Sequence, residues 1–166
     1  MKDYEKAIFY FEKSDANHEK SNPGEYDSNR LYQTMNFGIL LGKSGQNQRG
    51  VKYVQKAYNY VVRENNQSNY IENVLLLTLA TINFDGEDYK ETIKWCAKSF
   101  DIYNKYPENK GYDKLHFEEK KAELILLNAK SKYYLNSDRN IPFLEKLLSE
   151  VNEAIKILEN RKSIIS

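Results

Sequence analysis

The sequence predicts an all-α fold, an α-solenoid of about seven helices that pair into antiparallel hairpins. Most segments carry apolar residues at spacings of three and four, which is the pattern of a helix with one buried face. The segment Tyr70 to Phe84 is apolar on nearly every side, so it needs neighbours all around it. All three prolines fall where helices begin or end, and no segment reads convincingly as a strand.

The first predicted helix runs from about Asp3 to Asp15, with Ala7, Ile8 and Phe11 facing inward. The polar stretch DANHEKSNPGE, which contains His18, is predicted to be a loop that Pro-Gly punctuates.

The next two helices are predicted from about Asp27 to Lys43 and from about Gln48 to Glu64, separated by a Ser-Gly turn. Their inward residues recur at helical spacing. These are Leu31, Thr34, Met35, Phe37, Gly38 and Leu41 in the first of them, and Val51, Val54, Ala57, Tyr58 and Val61 in the second.

A helical hairpin follows between Tyr70 and Tyr103, then a long helix from about Tyr112 to Leu135, then a last helix that starts near Pro142 and ends at about Asn160. The second arm of the hairpin is amphipathic. Its predicted stripe is Tyr89, Ile93, Cys96, Ala97, Phe100 and Tyr103; the last helix has Leu144, Leu147, Leu148, Val151, Ala154, Ile155 and Leu158.

Length and charge limit the class of protein. The 166 residues suit a single domain, residues 1–166, whose core needs no disulfide or metal. A net charge of +1 offers no field that attracts nucleic acid or acidic lipid. The chain shows neither a signal-peptide pattern nor the ~20 apolar residues of a membrane span. We therefore predict a cytoplasmic protein, with Cys96 packed in the core in a reducing compartment.

No arrangement of residues predicts an enzyme, so no catalytic residue, metal ligand or cofactor is assigned. His116 and Glu119 share a helix face, but a metal site needs three or four ligands. Gly42-Lys43-Ser44 lacks the earlier glycine of a phosphate loop and follows a helix instead of a strand. The 14 Tyr and 7 Phe could stack on nucleobases, but their inward spacing favours core packing.

Two segments resemble the second helix of a tetratricopeptide repeat. They are DYEKAIFYFEKS, with Ala7-x3-Phe11, and DYKETIKWCAKS, with Thr92-x3-Cys96, at the family's Ala-x3-Phe spacing. The family's first-helix pattern is similar to Thr34-x2-Phe37-Gly38-x2-Leu41, with Gly50-x3-Val54 on the partner helix, and more loosely to Leu76-x2-Leu79-Ala80-x2-Asn83 and Ile125-x2-Asn128-Ala129-x2-Lys132. The repeat is longer than the family's, because Ala7, Gly50 and Thr92 lie 43 and 42 residues apart instead of about 34.

In the resembled family, the first helices of successive pairs line a groove that holds peptides. The resemblance thus implies a non-enzymatic scaffold that binds a protein or peptide partner, and the net charge of +1 argues against nucleic acid and membrane as partners. The partner-binding positions that it implies are Tyr32, Met35, Asn36, Ile39, Lys43, Thr78, Thr81, Lys130 and Tyr133, with Leu77, Asp85, Leu126 and Leu127 on the same face. For each of these residues, packing between neighbouring repeats is an alternative role that the sequence favours equally.

Asn36 matches an Asn with which the family holds a peptide carboxylate, but Val74 and Thr78 stand where that clamp has basic residues, which disfavours a carboxylate clamp. A second interpretation of the chain is the ligand- or peptide-sensing domain of a larger signalling or transcription regulator. The chain also begins on a second-type helix. We therefore hypothesise that it is a fragment of a longer protein, or that it self-associates through the face that carries Ile8 and Phe9.

Overall fold

The computed structural model of the protein describes residues 4–64, 69–106 and 114–165. Those residues form seven helices and no strand, which confirms the all-α prediction. The helices are α1 (Tyr4–Ser21), α2 (Ser28–Lys43), α3 (Asn47–Glu64), α4 (Asn69–Asp85), α5 (Tyr89–Lys105), α6 (Lys114–Leu135) and α7 (Ile141–Ile165). The predicted helix starts at Asp3 and Tyr112, and the predicted stop at Pro107, lie outside the described residues.

The helices pack in chain order as adjacent pairs, α2 with α3, α4 with α5 and α6 with α7. Each later pair joins the one before it through its first helix, because α4 lies against α2 and α3, and α6 lies against α4 and α5. This order of contacts is that of a solenoid-like stack. It places α2, α4 and α6 side by side in one row.

The three first helices of the pairs run in the same direction. The Asn47 side chain, at the start of α3, donates a hydrogen bond to the Ile82 carbonyl near the end of α4, at 3.0 Å. Ile82 also lies against Gly42 at the end of α2. The rings of Phe84 and Tyr134, near the ends of α4 and α6, are 6.1 Å apart between centroids. The carboxyl ends of α2, α4 and α6 therefore lie at the same edge of the stack.

The core is centred on α4, as the sequence predicts. Residues 75–80 are buried without interruption, and α4 has α2, α3, α5 and α6 as neighbours. A helix that is covered on all sides can be apolar on all sides. One of its buried polar side chains, Asn73, accepts a hydrogen bond of 2.8 Å from the Ser99 hydroxyl of α5 through its oxygen, while its amide nitrogen has no hydrogen-bond partner among the described residues.

Small residues lie where the helices of a pair cross. α2 and α3 meet at Gly38 and Gly50, both buried. At the α4–α5 crossing, the Thr92 hydroxyl lies 3.4 Å from the Ala80 carbonyl oxygen. Because Ala80 and Thr92 lie 42 residues beyond Gly38 and Gly50, the same contact recurs at the predicted period.

The first part of the predicted loop after Asp15 is wrong, because α1 continues to Ser21 and includes His18; the rest, with Pro23-Gly24, forms the loop before α2 as predicted. The helix persists because Asp15 and Glu19, one turn apart, both bind Arg30 of α2. The last helix also extends beyond the predicted end at Asn160.

The predicted stripe of α5 needs one correction. Ala97 is exposed, whereas Thr92 and Ser99 are buried beside Cys96. The hydroxyls of Thr92 and Ser99 hydrogen-bond to α4, so these two small polar residues form the contact with that helix.

The first helix, α1, is attached to one side of the stack. Within the described residues its backbone approaches only that of α2. Ile8 packs against Phe37 and Leu41 in a separate small cluster, while Phe9 and Tyr10 are 59% and 58% exposed. The outward side of α1 therefore leaves two aromatic rings in solvent.

Candidate functional site

Four predicted partner-binding residues lie on one side of α2. Tyr32, Asn36 and Lys43 are exposed, and Ile39 is partly exposed. Their spacing of three and four residues places them on one side of the helix, away from the core contacts that Leu31 and its buried neighbours make. The structure thus brings these four residues together on the row of first helices.

Three other predicted residues are placed closer to the interior. Met35 is buried in the main core, and Thr78 is buried on α4. The hydroxyls of Thr78 and Thr81 donate to the carbonyls of Val74 and Leu77, one turn earlier, at 2.8 and 2.9 Å. Thr81 keeps partial exposure, so of these three residues it presents the most surface on the row of first helices.

The last two predicted residues, Lys130 and Tyr133, lie in a groove between α6 and α7 of about 460 Å³. We call it the α6–α7 groove, and apolar side chains dominate its lining. The lining residues are Phe84, Ala129, Lys130, Tyr133, Tyr134, Leu144, Leu147, Leu148 and Val151.

The wall formed by α7 is positioned by contacts at its start and its middle. The Asn140 side chain accepts a hydrogen bond from the Phe143 backbone N–H at 3.0 Å, as a helix cap does. One turn further along, Leu147 is buried in the stack. The Lys132 ammonium of α6 forms an ion pair with Glu150 at 2.7 Å. These contacts hold α7 against α6 and leave Leu148 60% exposed.

An aromatic cluster closes the groove at the carboxyl ends of α4 and α6. Tyr89 and Tyr134 stack with centroids 5.1 Å apart, and Phe84 meets Tyr89 at 5.5 Å. The Arg139 guanidinium lies 4.1 Å from the centroid of the Tyr133 ring. Aromatic rings next to cations provide both apolar area and attraction for acidic groups.

Six of the nine predicted residues therefore fall into two patches of one row, while Met35 and Thr78 are buried and Thr81 lies on α4 between the patches. Tyr32 and its neighbours lie on α2, Lys130 and Tyr133 lie on α6, and α4 separates the two helices. The apolar stripe of α7 predicts core positions for Leu144 and Leu148, whereas both are exposed and line the groove. The signal that could have identified them is the width of the apolar arc on α7, which exceeds what one neighbouring helix covers.

A polar cluster lies at the other end of the stack, around buried Arg30. Its guanidinium forms ion pairs with Asp15, at 3.2 Å, and Glu19, and lies 4.4 Å from the centre of the Tyr26 ring. The hydrogen bond from Arg30 lowers the pKa of Glu19. Since both carboxylates belong to α1 and Arg30 to α2, the cluster anchors α1.

Two side chains that could take part in covalent chemistry, Cys96 and Tyr103, are buried in the core. Cys96 is fully buried, and burial raises the pKa of its thiol to about 12, so the nucleophilic thiolate is disfavoured. Burial also raises the pKa of Tyr103, whose hydroxyl donates to the Phe117 carbonyl. Within the described ranges, no three His, Cys, Asp or Glu side chains are grouped as metal ligands would be.

Comparison with protein-family models, with characterised proteins and with solved structures found no match in any of the three. In the part of the chain that the structure describes, no helix has the length and apolar character needed to cross a bilayer.

Proposed function

We propose that the chain is a tetratricopeptide-like stack that serves as a non-enzymatic binding module for a protein or peptide partner. The observation that carries the proposal is the α6–α7 groove at the end of the row of first helices. Its volume of about 460 Å³ is in the range of ligand sites, and it exposes Leu148 and Tyr134 at 60% and 54%. Exposed apolar surface of this kind marks an interaction site.

The repeated crossing contact supports the family part of the proposal. Gly38 meets Gly50 in one pair, and Ala80 meets Thr92 in the next, at the same sequence separation. A single recurring contact of this kind is expected of a repeat protein, in which each pair packs on its neighbours by the same rule. The row α2, α4 and α6 is then the equivalent of the family's peptide-binding face.

The exposed side chains on this row could bind a partner both by burying apolar surface and by pairing with its charges. Tyr32, Asn36 and Lys43 on α2 provide an aromatic ring, an amide and a cation, and Lys130 provides a second cation on α6. Aromatic residues are enriched at binding surfaces because a rigid ring adds contact area at little cost in conformational entropy.

The experiment is capture of partners on the immobilised full chain from a lysate of the cells that encode it, followed by mass spectrometry. Tyr32→Ala combined with Lys130→Ala removes one contact from each patch and should abolish retention of the captured proteins. Tyr32→Ala alone tests the α2 patch. Both variants should keep the melting temperature, because both residues are exposed. Equal retention by wild type and the double variant would refute the proposal.

A further inference from the structure

The second helix of the last pair, α7, carries more apolar side chains than α6 covers. Leu147 and Ala154 are buried, whereas Leu144, Leu148 and Ile155 are exposed. The three exposed positions fall within about 40° of one another on a helix of 3.6 residues per turn. They form a second apolar stripe beside the one that packs on α6.

The α6–α7 groove occupies the place that the next first helix takes elsewhere in the stack. α4 lies against both α2 and α3, and α6 lies against both α4 and α5. By the same rule, a further helix would lie against both α6 and α7, which form the two walls of the groove. The groove is therefore the same kind of surface as those through which one helix pair packs on the next.

The occupied positions show what such a groove accepts. On α4, the Ile82 side chain reaches the α2–α3 crossing, where it lies next to Gly38 and Gly50. On α6, the Phe117 ring packs on Tyr103 of α5 with centroids 4.5 Å apart. In both cases the occupant is a helix that inserts apolar side chains.

The charge at the groove further defines the occupant. The described lining includes one cation, Lys130, and no acidic residue, and Arg139 lies beside the groove on the Tyr133 ring. Charge complementarity at an interface favours an occupant with acidic residues next to its apolar stripe.

We propose that the α6–α7 groove binds an amphipathic helix of a partner protein, which continues the stack. Its apolar stripe is seated on Leu144, Leu148 and Val151, and its acidic residues face Lys130. This inference rests on the proposed binding function and names the kind of partner. A helix that uses one apolar face in this way is recognised mainly through a few anchoring side chains.

The test uses the full chain and a fluorescent synthetic peptide with the sequence of residues 114–135. This is the sequence of α6, which fills the equivalent groove between α4 and α5 and has Glu118, Glu119 and Glu123 beside its apolar residues; the peptide carries Lys120→Glu and Lys121→Glu, so that it is net acidic as the charge of the groove requires. Fluorescence anisotropy should show saturable binding. Circular dichroism should show a gain in helix on binding, because an isolated peptide of 22 residues is only marginally helical.

Two adjacent substitutions on α7 provide the matched comparison. Leu148→Glu places an unpaired carboxylate in the apolar wall and should weaken peptide binding at least about tenfold. Ser149→Glu adds the same charge one residue further along, at an exposed position outside the lining, and should change the affinity less than about twofold.

Three results overturn the inference: no saturable binding, equal effects of the two substitutions, or a bound peptide without added helix. A wild-type dimer in sedimentation that Leu148→Glu dissociates would assign the groove to a second copy, and would overturn it too. The two proposals fail separately. Without peptide binding, capture that depends on Tyr32 still supports the proposed function, while peptide binding without any such capture refutes only the part of that function that is assigned to the α2 patch.

Discussion

Gly50 lies directly against the backbone of Gly38 where α2 crosses α3. A Cβ atom on Gly50 would stand 2.6 Å from the Gly38 carbonyl oxygen, closer than real Cβ contacts allow. The two glycines therefore set how closely the helices of this pair approach. Because the opposing atom is backbone, it cannot turn aside as a side chain could.

Gly50→Ala should destabilise the protein by about 1–3 kcal/mol, the usual cost of overpacking. Gly42→Ala is the matched control: its Cβ would meet Ile82 at 3.5 Å, an ordinary contact, and alanine favours a helix over glycine. Urea denaturation followed by circular dichroism should show a loss for Gly50→Ala only. If both variants gain stability, the close approach at Gly50 does not exist.

Leu79→Ala should cost about 2–5 kcal/mol of unfolding free energy, the range for a buried leucine. Leu79 is fully buried on α4, which packs against α2, α3, α5 and α6. Leu148→Ala, at a 60% exposed position, is the control and should change the stability by less than about 0.5 kcal/mol. If Leu79→Ala and wild type had equal urea midpoints, α4 would not lie at the centre of the core.

The sequence was sufficient for the fold wherever burial alone determines the pattern. α4 was predictable because residues 75–80 are apolar except for Thr78, whose hydroxyl bonds within the helix, and a buried helix has no polar face to preserve. The crossing at Gly38 was predictable because close helix packing requires small side chains. The end of α1 was not predictable, because the polar turns that contain Asp15 and Glu19 are held by Arg30, a contact between two helices.

The candidate site was predicted only in part, for a similar reason. The side of α2 that carries Tyr32 follows from helical period alone. By contrast, burial of Met35 and Thr78 depends on how closely α2, α4 and α6 approach one another, which no single helix encodes. The width of the apolar arc on α7 indicates that one neighbour cannot cover all of it, but not that Leu144 and Leu148 are the residues left exposed, because an apolar stripe looks the same whether or not a neighbour covers it.

The anchor of α1 should make stability depend on pH in the acidic range. The hydrogen bond from Arg30 lowers the pKa of Glu19 below the ordinary value of a glutamate carboxyl. A lowered carboxylate pKa contributes stability that is complete above the unfolded pKa and is lost as the pH falls through the folded one. Wild type should therefore lose more stability than Glu19→Gln between about pH 5 and pH 3.

Glu5→Gln removes an exposed carboxylate from the first turn of the same helix and is the control for that comparison. Its urea midpoint should follow that of wild type across the pH series. Identical pH profiles for Glu19→Gln and wild type would show that the ion pair with Arg30 does not hold α1 in place.

Cys96 should be inert in the folded protein and reactive in the unfolded one. Its side chain is fully buried on α5, and burial raises the pKa of the thiol to about 12, so almost no thiolate exists at pH 8. Ellman's reagent should therefore release no colour from native protein within minutes, and one equivalent in guanidinium chloride, since the chain has one cysteine. Leu148→Cys adds a thiol at an exposed position and should give one rapid equivalent in the native state. Rapid reaction of native wild type would contradict the packing of α5 against α4 and α6, because the reagent can reach Cys96 only if those helices separate.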